Sequence, residues 1–181
     1  NSLRFDDGDS AYLSRTPGSA GDLQTYTVST WFKLGNTGSG YSGCLFYQGQ
    51  TDFDNGGMWG GMIYNNYLIF QYEATGGTSY RINTSMLLRD PSAWYHLVFV
   101  SDTTNATAAD RWRLYINGDR ITDFSTSTVT SIPEDYSQTY GVNSTYPMLV
   151  GAGRHGGGAY TYFDGYQAEF YLVDGTALAP S

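Results

Sequence analysis

Tyr26-Thr27-Val28-Ser29-Thr30-Trp31-Phe32-Lys33-Leu34 decides the fold class. Taken in steps of two, Tyr26, Val28, Thr30, Phe32 and Leu34 share one face, while Thr27, Ser29, Trp31 and Lys33 share the other. That is the period of a strand with one side in a core and one in water. Working outward, further strands are expected near Ser2–Phe5, Gly43–Gln48, Met58–Tyr64, Tyr67–Glu73, Ser79–Thr84, Trp94–Ser101, Arg111–Ile116, Arg120–Phe124, Met148–Gly151 and Tyr166–Val173. No helical period intervenes. Asn117-Gly118 sits between two of these runs and supplies the paired positive φ angles of a type I′ hairpin. Asp102–Asp110 reads as a loop or a helical turn, and the polar stretch Pro133–Pro147 as a long excursion.

The composition agrees. The chain has 181 residues with 17 Tyr, 9 Phe, 4 Trp and 23 Gly, yet only one Lys, Lys33, and three Glu: Glu73, Glu134 and Glu169. Exposed helix faces need Glu and Lys, whereas aromatics and Thr suit pleated surfaces and Gly suits turns. Many short strands without helices must cover their apolar faces with one another. A single all-β domain over residues 1–181, built as a two-sheet antiparallel sandwich, is the simplest solution. The net charge of −8 and the scattered Arg residues oppose a nucleic-acid partner. The longest strongly apolar run, Trp94–Val100, is far short of the roughly 20 residues of a membrane span. Cys44 is the lone cysteine, which excludes an internal disulfide and suits a small core residue. The chain enters a strand-like stretch with no signal segment, as a mature or excised piece does.

Gly151, Gly153 and Gly156 match G-x-G-x-x-G, but Gly157 to Tyr162 cannot start the helix whose N-terminus would hold a phosphate, so a glycine-rich loop is the better account. There is no nucleophile elbow and no His pair at metal spacing. His96 lies within a strand, pointing opposite to Tyr95, Leu97 and Phe99, and reads as structural or solvent-facing. A retaining glycosidase holds two carboxylates about 5 Å apart. Glu73 and Glu134 have no acidic residue two positions away, and Glu169 has only Gln167 and Tyr171. Catalytic residues are accordingly assigned as none. Asp6, Asp7 and Asp9, with Asp52 and Asp54, form the densest acidic clusters. Ca²⁺ takes roughly six to eight oxygens from such loops, although Asp is equally a turn residue. The first cluster is the candidate calcium site, and no cofactor is otherwise required.

Five blocks in order resemble one family: Ser2-Leu3-Arg4-Phe5 with Ala11-Tyr12-Leu13; Tyr26 to Lys33; Trp94-Tyr95-His96-Leu97-Val98-Phe99-Val100; Arg113-Leu114-Tyr115-Ile116-Asn117-Gly118; and Phe163-Asp164-Gly165-Tyr166-Gln167-Ala168-Glu169-Phe170-Tyr171-Leu172. Together they resemble the laminin-G-like, concanavalin A-like lectin jelly roll. That family includes glycan-binding lectins, adhesive modules and glucanases, so the resemblance does not choose among them. The glucanase branch carries an E-x-D-x-E strand that is missing here. The ending Asp164 to Ser181 resembles jelly-roll segments of tailed-bacteriophage structural proteins (fibre, spike or capsid surface). It implies a domain of a longer chain, or one ending at a junction.

From that resemblance we expect a non-enzymatic domain at the virion surface or outside the cell that holds host or environmental glycans weakly. Its other partners would be virion proteins, and analogy favours a homo-oligomer, a trimer. The alternatives are a purely structural virion domain with no glycan site and, last, a carbohydrate-active enzyme. Sugar rings stack their C–H faces on aromatics, and Asp, Asn and Arg address the hydroxyls. The expected contacts are Trp59, Tyr64, Asp52, Asn55, Arg154, His155, Tyr160 and Tyr162, because they lie in or beside Gly-rich loops. Trp59 and Tyr64 also suit a core or an interface.

Overall fold

The computed structural model describes residues 1–40, 42–50, 56–154 and 160–180. The strands are β1 (Leu3–Phe5), β2 (Leu13–Arg15), β3 (Thr25–Leu34), β4 (Ser42–Gly49), β5 (Gly57–Tyr64), β6 (Tyr67–Glu73), β7 (Ser79–Leu87), β8 (Tyr95–Asp102), β9 (Trp112–Ile116), β10 (Asp119–Ile121), β11 (Phe124–Ser127), β12 (Met148–Val150), β13 (Ala152–Arg154), β14 (Tyr160–Tyr162) and β15 (Gly165–Asp174). They build a six-stranded sheet in the order β1-β15-β3-β8-β9-β10, a seven-stranded sheet in the order β11-β7-β6-β5-β4-β12-β2, and a separate β13-β14 hairpin. All pairings are antiparallel among the described residues. This is the expected two-sheet sandwich.

β3 carries the alternation that its sequence dictates. Tyr26, Val28, Thr30, Phe32 and Leu34 are buried, and Trp31 on the opposite face is exposed. The main core lies between the sheets, where Phe70 stacks on Phe99 with ring centres 4.5 Å apart and Trp112 meets Phe99 edge-on. The long excursion between β11 and β12 is anchored rather than loose. Its Gln138, fully buried, accepts the Tyr26 hydroxyl at 2.9 Å and donates to Ser101 Oγ at 2.7 Å. Burying such an amide is tolerable only because it is bonded on both sides.

Two features depart from the sequence reading. The run expected at Arg120–Phe124 is two strands: β10 completes the Asn117-Gly118 hairpin with β9, and the chain then crosses so that Phe124 pairs with Thr84 in the other sheet. At Asp102–Asp110 the chain takes the expected helical turn, a single 3-10 turn at Ala108–Asp110. A second, smaller core lies on the outer face of the seven-stranded sheet. It comprises Cys44, Tyr47, Trp59, Met62, Ile69, Leu149 and Ala152, with Tyr160 and Tyr162 packed against it. The β13-β14 hairpin therefore roofs that face. The stretch holding Gly151 and Gly153 enters strand β13.

Candidate functional site

The register of the six-stranded sheet lays its outward residues in rows. Trp31 lies between Ala168 of β15 and His96 of β8, and Ser29 lies between Tyr171 and Val98. The Trp31 and His96 rings stack, 4.8 Å apart and 17° from parallel, and His96 Nε2 is 2.9 Å from Ser29 Oγ. Asn117, in the β9-β10 turn, accepts the His96 backbone N–H at 2.8 Å and so carries its amide to the same edge. The segment after β15 folds back across this face. Thr27 Oγ1 donates to the Thr176 carbonyl at 2.7 Å and accepts the Leu178 N–H at 2.8 Å. Ala177 packs against Val98, Val100 and Tyr115.

These elements enclose a groove of about 710 Å³. Ser29 and Val98 form its floor, the Trp31–His96 stack one wall and Leu178–Pro180 the other, with Trp94 and Tyr171 also along it. Among the described residues no Asp, Glu, Lys or Arg lines it. Trp31 and Trp94 are each 38% exposed and Tyr171 58%, a large aromatic area to leave in water. A concave, mostly apolar groove with a few polar groups is the usual form of a small-ligand site.

The residues expected from the Gly-rich loops are distributed otherwise. Arg154, Tyr160 and Tyr162 come together on the opposite side of the molecule, joined by Tyr12. Tyr160 and Tyr162 stack at 5.5 Å, Tyr12 lies 5.6 Å from Tyr160, and the Arg154 guanidinium is 5.3 Å from the Tyr160 ring centre. Tyr160 holds the Tyr12 hydroxyl above the usual phenol range by its charge and by a hydrogen bond. Tyr160 and Tyr162 are half-buried against the small core beneath, while Tyr12 is exposed. Trp59, at 4% exposure, belongs to that core, and its indole N–H donates to the Arg154 carbonyl at 2.7 Å. It braces the hairpin and presents no stacking face. Tyr64 is exposed at the far end of β5, beside the Asn65-Asn66 turn. Asp52, Asn55 and His155 lie outside the described residues, as does Asp54.

At the candidate calcium site, Asp6 accepts the Gly8 N–H at 2.9 Å and pairs with Arg4 at 3.6 Å, while the carbonyls of Asp6 and Asp7 accept the N–H groups of Ala11 and Ser10. This is the hydrogen bonding of a turn. Among the described residues no group of three or more carboxylate, His or Cys side chains is placed to hold a metal ion. Cys44 is buried, its thiol donating to the Phe46 carbonyl at 3.0 Å and pushed up in pKa by burial.

The groove residues were missed, although one signal pointed to them: Trp31 is a large aromatic on the otherwise polar face of β3. Trp94 and Tyr171 carry no such mark, because only cross-strand register brings them beside it.

The sequence matches the concanavalin A-like lectin/glucanases superfamily over residues 6–180. The chain belongs to that superfamily. No curated protein sequence matches it. Among solved structures it is similar to the enzymatically active domain of tailspike protein 2 from bacteriophage CBA120 (TM-score 0.61, 13% identity, covering 96% of this chain and 25% of that one). It is also similar to domain 4 of AbnA, an extracellular arabinanase from Geobacillus stearothermophilus in complex with arabinotriose (TM-score 0.57, 19% identity, 90% and 66% covered). A third is the CBM40 of a Ruminococcus gnavus sialidase bound to α2,3-sialyllactose (TM-score 0.55, 15% identity, 93% and 94% covered). At these identities the likeness is one of fold. The chain spans a quarter of the tailspike and two thirds of the arabinanase domain chain. No helix among the described residues is long and apolar enough to cross a membrane.

Proposed function

We propose that this lectin-like domain is a non-catalytic glycan-binding module displayed outside the cell, on a virion surface protein of a tailed phage, and that its site is the groove on the six-stranded sheet. The observation that carries the reading is the exposed Trp31–His96 stack with Trp94 and Tyr171 around an uncharged concave floor. Aromatic faces desolvate sugar C–H groups, and Ser29, His96 and Asn117 can exchange hydrogen bonds with hydroxyls. Superfamily membership and the tailspike and arabinanase likenesses are consistent with it. Two of the three glutamates are engaged structurally: Glu134 with Arg111 at 3.2 Å, and Glu73 with Gln71. A non-catalytic role accords with that.

One observation favours a second reading. Trp31, Trp94, Tyr166 and Tyr171 are all exposed on one sheet face, and aromatics of this kind also furnish protein interfaces. A glycan array probed with the intact chain and with Trp31→Ala separates the two. Binding to some glycans that is lost in the variant supports the module. An array blank at millimolar glycan, alongside a stable oligomer that Trp31→Ala dissociates, supports the structural role instead.

A further inference from the structure

We infer that the outer face of the six-stranded sheet binds the interior of a linear, uncharged oligosaccharide, with Trp31 standing between two subsites. This rests on the glycan reading of the groove. Beyond Trp31 lies a second hollow of about 600 Å³ that shares Trp31 and Trp94 with the first and is bounded by Asn1, Ser2, Ala168 and Glu169. The two hollows thus meet at Trp31 and Trp94.

The sheet builds this junction at Ala168. A bulge shifts the register between Ala168 and Tyr171, with Glu169 at φ 52°. The extra residue lets Phe170 reach inward to Phe46, at 5.7 Å, while Tyr171 returns to the outer face. Beside Trp31 the outer face therefore carries only a methyl group. On the other flank His96 fixes the indole upright by stacking. Outward rows along a strand are two residues apart, roughly 6.6 Å. Hollows on successive rows accordingly suit successive units of a chain.

Charge selects the class of chain. The first hollow has no charged side chain, the second has the Glu169 carboxylate, and the protein carries −8 overall. Acidic polysaccharides are opposed at long range by the net charge. Neutral chains meet only aromatic faces and polar groups.

The test is titration calorimetry with arabino-, manno- and cello-oligosaccharides of one to six units, together with affinity electrophoresis in gels containing arabinan, mannan, dextran or polygalacturonate. In whichever neutral series binds, affinity is expected to rise at least tenfold between one and four units, and the matching polymer to retard the protein. Ala168→Leu, which fills the second hollow, should remove that gain, and Trp31→Ala should lose monosaccharide binding as well. Full affinity already at the monosaccharide, preference for polygalacturonate, or indifference to Ala168→Leu overturns the two-subsite inference while leaving the glycan reading standing. No binding to any sugar, with a sedimenting dimer that Trp31→Ala dissociates, overturns both and assigns the face to a second copy of the chain.

Discussion

Trp31 and Trp59 are both tryptophans on the outward face of an alternating strand, and their surroundings give them opposite roles. Trp31 is open to solvent on the six-stranded sheet, whereas Trp59 lies beneath the β13-β14 hairpin and bonds to its backbone. Trp31→Ala is expected to weaken glycan binding by at least tenfold, about 1.4 kcal/mol, with little change in melting temperature. Trp59→Ala is expected to cost about 3–5 kcal/mol of stability by leaving a cavity and an unpaired carbonyl. Urea denaturation of both variants checks the pair; equal losses would refute the division. Strand periodicity in the sequence orients Trp31, whereas Trp59, in the Gly-rich run Met58–Tyr64, suits a core, an interface or a ligand contact. Periodicity could not say which outward face was roofed, because the roof comes from residues about a hundred positions away.

At the level of elements, local chemistry was the best guide. The Asn117-Gly118 turn adopts φ of 54° and 90°, as a type I′ hairpin requires, and joins β9 and β10 in the expected register. The β13-β14 hairpin was not legible: its strands are three residues each, too short to show alternation, in a segment dominated by glycine. Its placement depends on tertiary contact, since a side chain on Gly153 would press on Cys44. Close approach also explains Gly60 in β5. It pairs with Phe46, and a Cβ there would enter the Phe46 ring. Gly60→Ala should destabilise the protein by about 1–3 kcal/mol, read as a lowered denaturation midpoint with an unchanged slope. A neutral result would mean that β4 and β5 can move apart without loss.

For the molecule as a whole, the sandwich followed from composition, alternation and the resemblance of five blocks, and the structure has the expected sheets. The binding face did not follow, because it is a property of register between β15, β3 and β8. The core also sets a pH limit. Burial pushes the Tyr26 phenol and the Cys44 thiol above their ordinary values of roughly 10 and 8.5. Above those ordinary values the unfolded chain gives up protons that the folded chain keeps. The unfolded state then binds fewer protons, and stability falls as pH rises. It should hold near pH 7, begin to decline beyond about pH 8.5 through Cys44 and fall more steeply beyond about pH 10, by up to about 1.4 kcal/mol per pH unit for Tyr26 alone. Urea midpoints between pH 7 and 11 measure this, and Tyr26→Phe should show a shallower alkaline decline. An identical slope would remove Tyr26 as its source.

One wall of the groove is hydrogen-bonded to the sheet through the Thr27 hydroxyl, with Ala177 packed beneath it. Thr27 Oγ1 both donates to Thr176 and accepts from Leu178, whereas β15, just before them, is held along its length by β3. Tension applied to the chain near Pro180 falls on those two bonds first and in succession, as in peeling tape, while the strand beneath is loaded in shear. A mechanical load would therefore open the groove before it disturbed the sheet, and a tethered ligand would be released by pull rather than by unfolding.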